Sequence, residues 1–141
     1  MIVLDANILF YAYSAASPQH QKARACVEKL FSGTGPVGLP WQTITAFLRV
    51  STNMRVPGAR PAGEALAEVE GWLRQPSVQV LLPSDDHWQV LHQMISEGQA
   101  FGPLVNDAEI AALTVEYGAV LYSADRDFTR FPGVRWVNPL G

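Results

Sequence analysis

The chain has 141 residues and a mass of 15.4 kDa, and we read residues 1–141 as one domain. With 48% hydrophobic and 16% charged residues it has the composition of a folded chain, not a disordered one, and no apolar run approaches the ~20 residues that span a bilayer. A net charge of −3 argues against nucleic-acid binding by bulk electrostatics, and the single cysteine, Cys26, excludes an intrachain disulfide or a cysteine-based zinc site.

Residues 1–10 carry no basic residue, and Asp5 interrupts their apolar stretch. A secretory signal is therefore not expected, and a cytoplasmic location is. Ile2-Val3-Leu4 reads as a buried strand. Ser17-Pro18 reads as N-cap and first residue of a helix, with Ala23, Val27, Leu30 and Phe31 at helical spacing and Gly33 to Gly35 as its stop. Val37 to Leu39 is a short strand. Trp41 to about Met54 is a helix, and Pro57, Gly58 and Pro61 break the chain after it. A further helix carries Ala65, Val69, Trp72 and Leu73, and Val78 to Leu82 is a strand. Ser84 is placed to cap a helix with Trp88, Leu91 and Ile95 on one face. Asn106 and Glu109 match a capping box for a helix from Asp107 to Tyr117, with Gly118 as its stop. Ala119 to Tyr122 and Val134 to Val137 are the last strands. Short strands alternating with helices, three of them near-continuous apolar runs, give an α/β class: a five-stranded, mainly parallel sheet with helices on both faces.

The chain has six aspartates. Asp85 and Asp86 fall in the first turn of a helix, where the dipole alone accounts for them. Asp5 ends the first strand and Asp125 lies just past the fourth. Ligands of open parallel sheets bind beyond the carboxyl ends of the strands, so these two point into one crevice if their strands are neighbours. Asp107 opens the helix leading into the fourth strand, and Asp127 follows Asp125 by two. Each of Asp5, Asp107 and Asp125 also has a purely structural reading as a helix or turn cap. Clustered carboxylates repel by about 4 kcal/mol per pair at ~4 Å and an effective dielectric of 20, so a fold that keeps them together does so around a cation. Hard oxygen donors without cysteine or a positioned histidine suit Mg²⁺, with Mn²⁺ as substitute. The chemistry that follows is metal-assisted hydrolysis of a phosphodiester, without a protein nucleophile. His20, His87 and His92 sit in helical stretches with ordinary surface or half-buried explanations, and Cys26 reads as a small buried hydrophobe.

Three segments carry a resemblance: Ile-Val-Leu-Asp5-Ala-Asn7, Asn106-Asp107-Ala-Glu-Ile-Ala-Ala-Leu, and Tyr-Ser-Ala-Asp125-Arg-Asp127-Phe128 followed by Phe131-Pro132-Gly133. Together with Phe47-Leu48-Arg49-Val50 they are similar, in order and spacing over the whole chain, to the PIN domain of VapC-type toxins. That resemblance implies a Mg²⁺- or Mn²⁺-dependent endoribonuclease acting on structured RNA such as tRNA or rRNA, a homodimer, and a cognate VapB-type antitoxin as partner. It implies that Asp5, Asp107, Asp125 and Asp127 are the catalytic, metal-binding acids, with Asn7 and Ser123 supporting them. Arg49, Arg126 and Arg130 are candidate contacts to RNA phosphate.

One position departs from the family pattern. A glutamate is usual in the helix after the second strand, where this chain has Ala46. Its absence puts tight binding of a second metal in doubt and supports an alternative reading, a PIN module that binds RNA or a partner without cutting. Phosphoaspartate receivers and haloacid-dehalogenase-like phosphatases also place acids at strand ends, but they need a lysine near the late strands. Here the lysines are Lys22 and Lys29, in an early helix.

Overall fold

Residues 1–141 are described by a computed structural model. Five short strands, β1 (Ile2–Leu4), β2 (Val37–Pro40), β3 (Val78–Leu81), β4 (Val120–Tyr122) and β5 (Arg135–Val137), form one sheet in the order β3-β2-β1-β4-β5. Every neighbouring pair is parallel, with Ile2 opposite both Val37 and Val120. The sheet is thus entirely parallel. Chain order runs outward from β1 to β3 on one side and to β4 and β5 on the other, so the topological switch lies between β1 and β4.

Successive side chains of β1 point to opposite faces, and each face has its own core. Leu4 packs with Leu39, Ile8, Phe47 and Trp72 beneath the helices α1 (Ala6–Tyr13), α2 (His20–Ser32), α3 (Trp41–Ser51) and α4 (Ala62–Leu73). The Phe47 and Trp72 rings meet nearly edge to face at 4.5 Å, and the Trp72 indole donates to Tyr13 Oη at 2.8 Å. Val3 and Leu121 pack on the other face with Met94, Ile110, Leu113 and Phe128, from α5 (His87–Gly98), α6 (Leu104–Glu116) and a 3₁₀ turn (Arg126–Arg130). Burying side chains of this size contributes about 1.5–3 kcal/mol each. No helix is long and apolar enough to cross a membrane.

Four helix starts differ from the sequence reading. Helix α1 has no clear signal in the sequence because its faces are nearly all apolar: Ile8, Leu9 and Ala12 are buried and Phe10, Tyr11 and Tyr13 are half-buried. A helix lodged between neighbours shows no polar stripe. Helix α2 starts at His20, not at Pro18. Ser17 caps the turn before it, accepting the Gln19 amide at 3.1 Å. Helix α6 starts at Leu104 behind Pro103, one turn before the capping box, so Asn106 and Asp107 lie inside its first turn. Pro103 sets a helix-compatible φ of −60°, and this overrides the local signal of Asn106. Similarly, Ser84 caps the turn ahead of α5, accepting the Asp86 amide at 3.2 Å and donating to Glu116 at 2.7 Å.

Candidate active site

β1 and β4 are hydrogen-bonded neighbours, so their carboxyl ends open on one crevice at the switch point, where ligands of such sheets bind. Asp5 is the residue after β1 and is 9% exposed. Its Oδ1 accepts the Ala6 amide at 2.8 Å, capping α1, and its Oδ2 accepts the Ser123 hydroxyl at 2.6 Å. Asp125 follows β4 and starts the 3₁₀ turn, its Oδ1 accepting the Asp127 amide at 2.8 Å. Asp5 and Asp125 thus each cap a helical turn, and both are bonded to Ser123. Asp107 is half-buried in the first turn of α6, and Asp127 is exposed at the rim.

Ser123, fully buried, holds this arrangement together. Besides donating to Asp5, its Oγ accepts the Asp125 amide at 3.0 Å and the Asn7 side-chain amide at 3.3 Å. Asn7 Oδ1 accepts the Ala124 amide at 3.3 Å, which ties α1 to the loop after β4. Two further anchors have no mark in the sequence. Thr43 donates to the Leu4 carbonyl at 2.8 Å, fixing the start of α3 to the end of β1. The Trp136 indole donates to the Ser123 carbonyl at 2.9 Å, bracing the loop from β5. Both are long-range pairs, and only the sheet order brings them together.

The acids act on one another electrically. Burial is the largest cause raising the Asp107 pKa, from 3.8 to about 7, and the charges of Asp5, Asp125 and Asp127 add to it. Arg130 opposes them. Burial also raises the Asp5 pKa, helped by Asp125 and opposed by the Ser123 and Ala6 hydrogen bonds. Asp107 thus feels all three other acids. No three of the chain's acidic, histidine or cysteine side chains stand close enough to enclose an ion on their own. The donor set is nonetheless all oxygen, with four carboxylates against the one nearby cation Arg130, which fits a hard divalent cation that keeps several waters.

Of the three arginines considered for phosphate contact, Arg130 is the one within electrostatic reach of Asp107. It donates to the Gly98 and Gln99 carbonyls at 3.1 and 3.3 Å, at the end of α5. The approach is close: a Cβ on Gly98 would stand 2.8 Å from the Phe131 ring. Arg49 and Arg126 are exposed, without side-chain hydrogen bonds. The histidines lie elsewhere: His20 bonds the Tyr11 carbonyl, His87 pairs with Glu116 at 2.7 Å, and His92 bonds Ser96. Cys26 is half-buried, not fully buried. Ala46 lies beside Asn7 in an apolar cleft of about 280 Å³ that also contains Phe10 and Phe47.

Ser123→Ala removes one donor from Asp5 and the acceptor of two amides. Loss of such an outer support typically costs 10- to 100-fold in metal affinity or activity. We expect about a tenfold loss of Mn²⁺ affinity, read by titration, with the circular-dichroism spectrum unchanged.

The family model described as PIN domain matches residues 2–134. Ribonuclease VapC33 of Mycobacterium tuberculosis is 35% identical over 141 residues, covering 99% of both chains. Ribonuclease VapC37 of the same species is 37% identical over 140 residues, covering 99% of this chain and 97% of its own. Among solved structures, VapBC2 from Rickettsia felis bound to a promoter DNA fragment superposes with a TM-score of 0.72 at 17% identity, covering 98% of each chain. Mycobacterium tuberculosis VapC20, described as a sarcin-ricin loop cleaving toxin, superposes with a TM-score of 0.69 at 20% identity, covering 96% of this chain and 99% of its own. The chain therefore belongs to the PIN-domain family, among the VapC ribonucleases.

Proposed function

We propose that this protein is a divalent-metal-dependent endoribonuclease toxin that cuts structured RNA, of the tRNA or rRNA class, and is neutralised by a VapB-type antitoxin. The observation carrying this reading is the group of four carboxylates, Asp5, Asp107, Asp125 and Asp127, coupled through Asp107 at the carboxyl ends of β1 and β4. These four are the proposed catalytic and metal-binding residues. A bound Mg²⁺ or Mn²⁺ would acidify a water and offset negative charge on the phosphodiester. Asp107, protonated in part near neutrality, gives up that proton when a cation binds. Ser123 and Asn7 keep Asp5 and the loop of Asp125 in place. Arg130, fixed at the end of α5, faces the substrate phosphate as a further cation.

The partner proposals rest on relatives and on exposed apolar residues. Several solved relatives are toxin–antitoxin assemblies, including VapBC-1 from nontypeable Haemophilus influenzae. Trp41, Trp88 and Phe101 are large apolar side chains left 50%, 69% and 73% exposed. We assign these surfaces to the antitoxin and to a second copy of the chain.

The test is incubation of antitoxin-free protein with total bacterial RNA, with Mg²⁺, Mn²⁺ or EDTA. Discrete fragments in the presence of metal are expected. Intact RNA under both metals points to the non-cutting module that Ala46 raises. With four carboxylates and no glutamate at 46, metal affinity without RNA should be weak. Ala46→Glu has room in the adjoining cleft and adds a charged ligand, which tightens such sites. We expect about a tenfold gain in Mn²⁺ affinity by calorimetry. Two tight sites in the unmodified protein would contradict this.

A further inference from the structure

Both lysines of the chain, Lys22 and Lys29, line one cavity of about 550 Å³ on the side of the sheet away from α5 and α6. Helix α2 forms one wall, where Lys22, Cys26 and Lys29 follow one another at i, i+4 and i+7 along a single stripe. Tyr122, Val137 and Pro139 form the other wall, from the ends of β4 and β5. No carboxylate lines the cavity. The remaining charges of α2 sit on a different face, where Arg24 and Glu28 pair at 2.8 Å. Lys22 makes one long contact, 3.5 Å to the Leu140 carbonyl, and Lys29 makes no side-chain hydrogen bond or ion pair. On a chain of net charge −3, this is a groove of positive sign whose ammonium groups have donors free.

One wall of the groove continues along the chain into the proposed active site, and Lys29, which also borders Met1, Ile2 and Pro36, lies toward the opposite edge of the sheet. Tyr122 is the last residue of β4, and the next residue, Ser123, is the one that holds Asp5. The Ser123 amide also donates to the Val137 carbonyl at 3.1 Å, so groove wall and acid cluster share one stretch of backbone. Seven residues of helix separate the lysines by about 10 Å, a spacing suited to a short stretch of single strand. Lysines give sequence-independent contacts to phosphate, and Tyr122 supplies an aromatic face of the kind on which bases stack.

We infer that the groove between α2 and the ends of β4 and β5 binds the RNA backbone where it leads away from the acid cluster, with Lys22 and Lys29 contacting successive phosphates along it. This rests on the ribonuclease reading above and extends it to a second binding element. Cys26, the one cysteine, sits between the two lysines and reports on occupancy.

The test uses the full chain carrying Asp5→Asn, so that RNA is not cut, with fluorescein-labelled bulk bacterial tRNA as probe and anisotropy as readout. Adding Lys22→Ala and Lys29→Ala should weaken binding about tenfold at 50 mM salt and reduce the slope of log affinity against log salt by about one to two. Both lysines are exposed, so the fold should be kept. Arg24→Ala, on the other face of α2, should leave affinity and slope unchanged. Bound tRNA should slow alkylation of Cys26 by N-ethylmaleimide severalfold. An unchanged slope in the double variant, or alkylation indifferent to tRNA, overturns the inference. Protection of Cys26 by polyglutamate but not by tRNA also overturns it, and assigns the groove to an acidic protein partner. If no form of the chain binds tRNA or labelled ribosomal RNA, the ribonuclease reading fails with it. If tRNA binds but ignores the lysines, the groove assignment alone fails.

Discussion

Asp107→Asn is expected to make the metal-free protein more stable at pH 8 while removing RNA cleavage. The opposing signs share one cause. Asp107 is held at a pKa of about 7 by burial and by Asp5, Asp125 and Asp127, so its ionised form is disfavoured in the fold. A neutral amide of nearly the same shape removes that penalty. A shift of this size would be worth about 4 kcal/mol for a group fully shielded from water. Asp107 is only half-buried, and solvent screening reduces the expected gain to about 1–2 kcal/mol. For a chain of this length that is a rise of about 2–8 °C in the melting temperature, read by thermal denaturation in EDTA. Activity should move the other way. The amide is a poor ligand for a hard cation, and loss of one charge from the site should lower the cleavage rate by 100-fold or more. A variant that is destabilised and still cuts would contradict both halves.

The second large effect is on the pH dependence of stability. A carboxyl whose folded pKa lies above its unfolded value binds more protons in the native state. Stability therefore falls as pH rises between the two values. For Asp107 that window runs from about 4 to about 7, and the raised Asp5 and Glu68 act in the same direction. Glu116 is the opposing group. Its pKa is lowered by hydrogen bonds from Ser84 and His87 against the cost of its burial, so it adds stability above its unfolded pKa that is lost on acidification. The Glu116 contribution changes only below about 4.5, so between pH 5 and pH 8 the raised Asp107 governs, and the metal-free protein is more stable at pH 5 than at pH 8. Millimolar Mn²⁺ should reduce the difference by stabilising the ionised cluster at the higher pH. The measurement is the melting temperature at the two pH values, with Mn²⁺ and with EDTA, for the parent chain and Asp107→Asn. A parent chain whose stability rises from pH 5 to pH 8 in EDTA would contradict the coupling of the acids.

What the sequence makes legible here is local, and what it hides is long-range. Ile2 to Leu4 and Val120 to Tyr122 are short apolar runs, as suits central strands of a sheet with helices on both faces, whereas Val78 to Leu81, at the sheet edge, is interrupted by the exposed Gln79. Asp5 and Asp125 then fall at strand ends by counting alone. The adjacency of β1 and β4, which turns two strand ends into one crevice, is a property of the sheet order. Ser123 shows the same limit. Its place two residues before Asp125 is visible, but its bond to Asp5 spans 118 positions. Thr43 and Trp136 carry no local sign of their roles because their partners are carbonyls distant in the chain. Helix α1 leaves no local sign in the sequence because burial on nearly all sides erases the polar stripe that marks a helix. Helix α6 began early because Pro103 outweighs Asn106 as a start signal. That shift of one turn moves Asp107 from the mouth of a helix to a half-buried position within its first turn, the position from which it feels the other three acids.

Whether these four acids form a divalent-metal site for RNA hydrolysis is read from the rate of cleavage of total bacterial RNA against Mn²⁺ concentration. The assay should be run on the parent chain, on Asp5→Asn and on Asp85→Asn. The account requires no cleavage in EDTA, a rate that saturates with Mn²⁺, loss of that rate in Asp5→Asn, and no change in Asp85→Asn, whose carboxylate lies outside the crevice. Cleavage that persists in EDTA, or that survives Asp5→Asn at the parent rate, would contradict it.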